Sequence, residues 1–224
     1  MWQKKFWRDY FESILVAIFL ALFVRTFIWT AYRVPTNSMA PTLIPGDFLF
    51  TYRLPYGLKL PLTQTKWTVG NPIRGEVLVF TYPDQPNVVY VKRVIGLSGD
   101  RIQIKNGKIN FNGQDFVYNS IGKEPQADGS VEVEEVSTEG ARQVLLPAAG
   151  VSADFGPFVV PPGEVFLIGD RRDQINSPHG WGSVPIERIE GKVELLWLSL
   201  DWDQRKAGEF FPLLRNERLF RWIH

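Results

Sequence analysis

The stretch Arg101–Asn112, RIQIKNGKINFN, decides the fold class. Isoleucines alternate with polar residues before Asn106-Gly107, and a similar alternation follows these two residues. Alternation with a period of two is typical of β-strands, and Asn-Gly between two such runs is typical of a type I′ turn. The stretch therefore predicts a tight antiparallel hairpin.

The β pattern extends outward from this hairpin in both directions. Short runs rich in valine, isoleucine and aromatic residues are bounded by glycine, proline or asparagine, and no helical period competes with them in the middle of the chain. Together with 16 prolines and 19 glycines, these runs predict an all-β domain. The predicted strands are Asp47–Tyr52, Glu76–Tyr82, Val88–Ile95, Arg101–Lys105, Lys108–Asn112, Val131–Val136, Gln143–Leu146, Glu164–Ile168 and Lys192–Ser199. The more acidic stretch at about 113-162 is interpreted as a smaller inserted β cap.

The N-terminal segment differs from the rest of the chain. Residues 13–24 are apolar except for Ser13, and after Arg25 the mostly apolar run continues to Tyr32. A helix of about 20 residues is about 30 Å long, which matches the hydrocarbon core of a bilayer. We therefore expect one N-terminal transmembrane α-helix at 13-32, with a cleavable signal peptide as the alternative. Arg25 is its costly feature, at about 2.5–3.5 kcal/mol near mid-bilayer.

Three basic residues, Lys4, Lys5 and Arg8, precede the expected span. The positive-inside rule then places residues 1-12 in the cytoplasm and residues 33-224 outside it. The sequence thus predicts a single-pass protein of the plasma or inner membrane. Its β domain is extracytoplasmic, and the lipid bilayer is one of its partners.

The composition excludes several classes of function. The 224 residues carry 25 basic and 24 acidic side chains, a net charge of +1 that gives no electrostatic footprint for nucleic acid. Cysteine is absent, which excludes disulfides, thiol nucleophiles and cysteine-based metal sites. His179 and His224 are the only histidines, so we expect no metal and no cofactor.

A candidate nucleophile lies in residues 34–47, VPTNSMAPTLIPGD. Three prolines fix φ and make this segment stiff and irregular, so that Ser38 is held outside any strand. Ser38 follows the expected span by six residues and is therefore at most about 20 Å from the membrane surface. The alternative is a proline-rich linker with an incidental serine.

A candidate base follows in the run VVYVKRVIG, residues 88–96. Strand alternation places Lys92 and Arg93 on opposite faces, and a lysine between valines on a buried face is unusual. A serine needs a base, and a lysine base must be neutral, with its pKa lowered from about 10.4 toward about 7–8. The alternative is an edge-strand lysine that discourages aggregation.

A third segment, residues 165–182, is a hydrophobic strand that ends in a polar turn. Its polar side chains suit a set of residues that support a catalytic site, and the alternative is a plain charged loop.

In combination, these segments resemble the type I signal peptidases, the membrane-bound Ser/Lys proteases that remove signal peptides. The family's nucleophile box, Pro-Ser-x-Ser-Met-x-Pro-Thr-Leu, is filled by PTNSMAPTL at residues 35–43. The family's other boxes are matched by Arg74-Gly75-Glu76-Val77, by Lys92-Arg93 ahead of Gly99-Asp100, and by Gly169-Asp170-Arg171-Arg172. The resemblance runs from the span to Gly182 and leaves only the insertion uncovered.

The resemblance implies an all-β catalytic domain with the signal-peptidase-like β fold, and a serine endopeptidase that cuts exported preproteins after small residues. Ser38 would be the nucleophile and Lys92 the base. The Ser38 N–H and the Thr36 hydroxyl would hold the oxyanion. The partners implied are the signal peptides of exported preproteins at the membrane surface.

The resemblance also implies supporting roles. Asp170 and Arg172 would form a structural ion pair near the site, and Arg93 and Asp100 would be structural. In the family, a serine after the Gly-Asp-x-Arg box orients the lysine. An ungapped alignment places Ile175 there, whereas a gapped one places Ser177 there, so Ser177 is the candidate partner of Lys92.

Two alternative functions stay open on the sequence alone. One is a Ser-His hydrolase that uses His179, which leaves the lysine among valines unexplained. The other is a non-catalytic β domain tethered to the membrane.

Overall fold

The computed structural model describes residues 2–59, 66–67, 70–148, 154–174, 181–202 and 212–223. Helix α1 is Trp2–Phe23, and a short π-helix at Val24–Ile28 follows it. The strands are β1 Trp29–Arg33, β2 Asp47–Tyr52, β3 Leu58–Lys59, β4 Lys66–Trp67, β5 Val77–Tyr82, β6 Gln85–Gly96, β7 Arg101–Lys105, β8 Lys108–Phe111, β9 Gln114–Asp115, β10 Val117–Ser120, β11 Val131–Ser137, β12 Gly140–Leu146, β13 Phe155–Val159, β14 Glu164–Ile168, β15 Trp181–Pro185, β16 Ile189–Asp201, β17 Leu213–Leu214 and β18 Arg221–Trp222.

The main sheet is antiparallel and has the order β1-β2-β16-β5-β6-β14-β15, with β17 and β18 also pairing with β16. Strand β5 is buried at all six positions, as expected for a strand covered on both faces. Apolar clusters lie against this sheet and form the core. The chain is mostly β-sheet, as the alternating pattern predicted.

The predicted hairpin at Asn106-Gly107 is confirmed. Asn106 and Gly107 both have positive φ, 51° and 75°, which the type I′ turn requires. Lys105 pairs with Lys108 across the turn. Strand β16 is longer than the predicted Lys192–Ser199, because β2, β5, β17 and β18 all pair with it.

The predicted helix at 13-32 is wrong at its C-terminal end. The α-helix ends at Phe23, and Trp29–Arg33 forms β1, which pairs with β2 from Trp29↔Tyr52 onward. The Trp29 ring lies against Phe50 and Tyr52, so pairing and aromatic contacts with the sheet replace helix in this stretch. Over the described residues, no helix combines the length and the apolar character that a membrane crossing requires.

The stretch predicted as a cap forms two small groups of strands. Strands β10, β11 and β12 make a three-stranded sheet. Strands β9 and β13 join the β7–β8 hairpin in a four-stranded sheet of order β13-β7-β8-β9. The second sheet thus contains strands from both sides of residue 113. The bounds of the inserted cap, about 113-162, stay a prediction.

Candidate active site

Ser38 lies in a turn between β1 and β2, within residues 34–47, here called the nucleophile segment. Met39 and Leu43 are buried in the core on its inner side, and the Leu43 N–H donates to the Met39 carbonyl at 2.9 Å. The Ala40 N–H donates to the Asn37 carbonyl at 2.9 Å. These contacts anchor the segment and leave Ser38 half-buried.

Lys92 lies on β6, opposite Leu78 of β5, and only 3% of it is exposed. Burial lowers the pKa of its amine from 10.5 to about 8, since a charged amine is poorly solvated there. The Asp170 carboxylate acts in the opposite direction and raises the pKa, but burial prevails. A buried lysine with this pKa can exchange a proton near neutral pH.

Gly169, at the end of β14, brings the serine and the lysine together. A Cβ atom on Gly169 would lie 2.2 Å from the Ser38 carbonyl oxygen and 3.3 Å from Lys92 Nζ. Two residues on, the Arg171 N–H donates to the same Ser38 carbonyl at 3.2 Å. The Lys92 amine therefore reaches the turn that carries Ser38, and only glycine fits between them.

Thr36 is exposed and lies beside the serine hydroxyl. Its Oγ1 donates to Ser38 Oγ at 3.4 Å, which is a long hydrogen bond. The Thr36 hydroxyl is thus a donor at the side of the reacting atom, although the resemblance alone assigns it to the oxyanion.

A buried ion pair lies next to the lysine. Arg93 donates from Nε and Nη2 to Asp170 at 2.9 and 2.8 Å, and both side chains are at most 2% exposed. Thr42 Oγ1 also donates to Asp170, at 2.5 Å. Burial raises the pKa of Asp170, but the charge and hydrogen bonds of Arg93, the charge of Arg172 and the Thr42 hydrogen bond together hold the pKa below its usual range. The pair fixes the turn that follows Gly169.

The expected Asp170–Arg172 ion pair is wrong. Asp170 pairs with Arg93, because the register of β6 on β14 places Arg93 opposite Ile168. Arg172 donates from Nη2 to Glu135 of β11 at 3.0 Å.

Glu135 is a buried residue that sequence reasoning missed. It accepts hydrogen bonds from Arg142 at 2.8 Å and from the Tyr118 hydroxyl at 2.8 Å, and it is 0% exposed. The three-stranded sheet is thereby tied through Arg172 to the turn beside the site. The sequence does contain a sign of this buried charge, because strand alternation places Glu135 on the same face as the apolar Val133.

Asp100 lies in the turn after β6 and organises that turn. It accepts hydrogen bonds from the Arg74 guanidinium at 2.8 Å, from the Leu97 N–H at 2.7 Å and from Asn112 Nδ2 at 3.0 Å. These contacts explain why arginine stands at position 74, ahead of β5.

Ser177, Ile175 and His179 all lie outside the described residues.

The site thus combines a half-buried serine with a buried lysine amine, both next to Gly169, and burial lowers the pKa of that amine to about 8. A base of this kind can take the serine proton and make its oxygen nucleophilic. The class of protein that this fold and site define is a serine hydrolase with a lysine base.

Comparisons with known proteins point to one family. The model of the family described as "Signal peptidase, peptidase S26" matches residues 7–198. Signal peptidase I of Pseudomonas fluorescens is 35% identical over 221 residues, covering 89% of this chain and 75% of that protein. Signal peptidase I of Rickettsia typhi is 31% identical over 239 residues, covering 94% and 90%. The chain therefore belongs to the peptidase S26 signal peptidase family and is a serine endopeptidase.

A solved structure is also similar to this chain. The crystal structure of a signal peptidase I from Enterococcus faecalis matches with 20% identity and a TM-score of 0.35, covering 55% of this chain and 96% of that one.

Activity is expected to rise with pH up to about 8. Since burial lowers the pKa of Lys92 to about 8, the amine of the folded enzyme is mostly protonated below that pH. The value of kcat/KM should then increase about tenfold per pH unit on the acid side and level off above the pKa. Initial rates on one preprotein between pH 5 and 10 measure this, and a flat profile contradicts a lysine base.

Removing the Thr36 hydroxyl is expected to slow the reaction by about 10²–10³-fold, the usual loss for one oxyanion donor. Thr36→Val keeps the shape and removes the donor, whereas Thr36→Ser keeps the donor. The measurement is kcat for both variants on the same preprotein. Equal rates for the two variants rule out an oxyanion role for this hydroxyl.

Proposed function

We propose that Ser38 and Lys92 are the dyad with which this member of the family removes signal peptides from exported preproteins. The observation that carries the proposal is the convergence of the Ser38 turn and Lys92 Nζ on Gly169. The lowered pKa of the buried amine supports the same assignment. A lysine buried among the apolar residues of a β core is costly unless its amine has a chemical role.

The mechanism follows from these groups. Neutral Lys92 takes the proton from Ser38 Oγ, which attacks the scissile carbonyl carbon. The oxyanion that forms accepts hydrogen bonds from the Ser38 N–H and the Thr36 hydroxyl. The Lys92 ammonium then gives its proton to the leaving amine, and the mature protein departs.

An ester between Ser38 and the signal peptide is left behind. Lys92, neutral again, takes a proton from a water molecule that attacks this ester. Collapse of the second tetrahedral intermediate returns the proton to Ser38 Oγ and releases the signal peptide with a free carboxylate.

The expected cut follows a small residue, with another small residue two positions before it, as the family resemblance implies. Incubating the protein with a preprotein in detergent and sequencing the new N-terminus tests this. A preprotein with leucine at the cut residue is expected to stay unprocessed, and the parent preprotein is the control. Unchanged processing of the leucine substrate contradicts the specificity.

We also propose that α1 inserts into the lipid bilayer and that the β domain lies on the extracytoplasmic side. Every side chain from Tyr10 to Phe23 is exposed, and most are large and apolar, which is costly in water. Lys4, Lys5 and Arg8 precede the apolar part and favour a cytoplasmic N-terminus. Protease added to intact spheroplasts should digest the β domain. Protection until the membrane is opened contradicts the orientation.

A further inference from the structure

The C-terminal segment, residues 212–223, returns to the nucleophile segment. It lies beyond residue 198, where the match to the family model ends. Its strands β17 and β18 pair with β16, and β16 in turn pairs with β2. This segment, here called the C-terminal clamp, therefore contacts the site through residues that the family model does not cover.

Arg218 makes the central contact of the C-terminal clamp. Its Nη2 donates to the Thr42 carbonyl at 2.9 Å and to Asp47 Oδ2 at 2.6 Å, and its Nε donates to Asp47 Oδ1 at 3.3 Å. Asp47 is 0% exposed, and its carboxylate also accepts from the Ile44 N–H at 2.9 Å. One guanidinium thus holds both the backbone and the final carboxylate of the nucleophile segment.

Two further contacts join the C-terminal clamp to the same segment. Arg215 Nη1 donates to the Pro45 carbonyl at 2.9 Å, while its Nη2 pairs with Asp201 at 3.0 Å. Ile223 is 4% exposed and belongs to the core cluster that contains Met39 and Leu43. The contacts therefore combine hydrogen bonds, an ion pair and apolar packing.

The nucleophile segment needs such outside support. Pro35, Pro41 and Pro45 have no N–H, so the segment has fewer hydrogen bonds of its own with which to fix its backbone. The forked guanidinium of arginine can satisfy a carbonyl and a carboxylate together, which lysine cannot do with the same geometry.

We propose that Arg218 is a positioning residue for Ser38 and that the C-terminal clamp holds the nucleophile in its reactive place. The inference rests on the proposed role of Ser38. Displacing a nucleophile by about 1 Å costs about 10²-fold in rate, so a clamp on its segment acts on kcat. Substrate binding is affected less, because the clamp contacts the nucleophile segment on its Thr42–Asp47 side.

The test compares Arg218→Met, Arg218→Lys and Arg101→Met on one preprotein. Arg101 is an exposed arginine on β7, outside the C-terminal clamp, and serves as the control. We expect Arg218→Met to lower kcat about 10- to 100-fold with KM within about threefold. Arg218→Lys should recover only part of this loss, and Arg101→Met should match the parent.

Two more measurements separate positioning from stability. Melting of each variant gives the folded fraction at the assay temperature, and the loss of kcat should exceed the loss of folded protein. The acid limb of the pH profile should stay near pH 8, because Lys92 is not touched. If Arg218→Met does not fold, Arg215→Met takes its place, with a smaller loss of kcat expected.

The inference is overturned if Arg218→Met keeps kcat within twofold of the parent, or if its loss of kcat is no larger than its unfolded fraction explains. The same criteria apply to Arg215→Met if that variant is used instead. Parent and Ser38→Ala enzymes run beside the series test the proposed function separately. An active Ser38→Ala enzyme removes the proposed function, whereas an inactive one with a fully active Arg218→Met removes only the clamp.

Discussion

Ser38→Ala and Lys92→Ala are each expected to lose about 10³- to 10⁶-fold in kcat, because each removes one half of a nucleophile and base pair. Lys92→Arg should be as inactive, since a guanidinium cannot give up its proton. The two losses should not add in the double variant, because the residues act as a unit. Turnover of one preprotein by the four variants measures this.

His179→Ala is the control for the competing base. It should retain most activity if Lys92 is the base. An inactive His179→Ala beside an active Lys92→Ala establishes a Ser-His hydrolase instead.

Lys92→Met should show that the loss of activity is not a loss of folding. The pKa of this amine falls from 10.5 to about 8 in the folded protein, so the folded state is penalised fully below pH 8 and not at all above about 10.5. A tenfold change in acidity corresponds to about 1.4 kcal/mol, so the penalty at pH 7 is on the order of 3 kcal/mol. Lys92→Met should therefore increase the free energy of unfolding at pH 7 while abolishing turnover. Urea unfolding at pH 7 and 10.5 should show a smaller gain at the higher pH.

Gly169→Ala is expected to lower kcat by about 10²-fold and the free energy of unfolding by about 1–3 kcal/mol. The added Cβ would lie 2.2 Å from the Ser38 carbonyl oxygen, a backbone atom that can move only with its turn. The nucleophile is then displaced from the Lys92 amine. Preprotein turnover and urea unfolding of the same variant measure the two effects.

Gly182→Ala is the matched control. Gly182 lies on β15, paired with Leu167 of β14, and its added Cβ would approach the Tyr82 ring at 3.3 Å. Only a small side-chain adjustment is needed there, so activity should stay near the parent value. Equal activity of Gly169→Ala and the parent contradicts the close approach of Ser38 and Gly169.

The sequence predicts the strands well because their signal is local. The hairpin signal lies within a few residues of Asn106-Gly107, and the structure has the predicted turn there. The apolar run at Glu164–Ile168 is equally short, and β14 has the predicted bounds. The end of α1 was mispredicted for the complementary reason. Residues 29–32 are apolar enough to continue a helix, but pairing with β2, which lies further along the chain, makes them part of strand β1.

The partners of the buried charges could not be predicted from local pattern. Arg93 and Asp170 are 77 residues apart and meet only because β6 and β14 are neighbours. Glu135 lies in the three-stranded sheet, whereas Arg172 lies in the short 3₁₀ helix Arg172–Gln174 that follows β14. The family boxes identify which charged residues matter, while the choice of partner depends on strand order and register, which no single segment contains.

Strand order also governs when the site can exist. The strand after Ser38 is β2 and the strand with Lys92 is β6, and β16 lies between β2 and the β5–β6 pair in the sheet. Residues 189–201 leave the ribosome long after both of these strands, and such long-range pairing forms late. We therefore expect β2 and β6 to take their places in one sheet only after β16 has been synthesised, so that the serine and the lysine come together late.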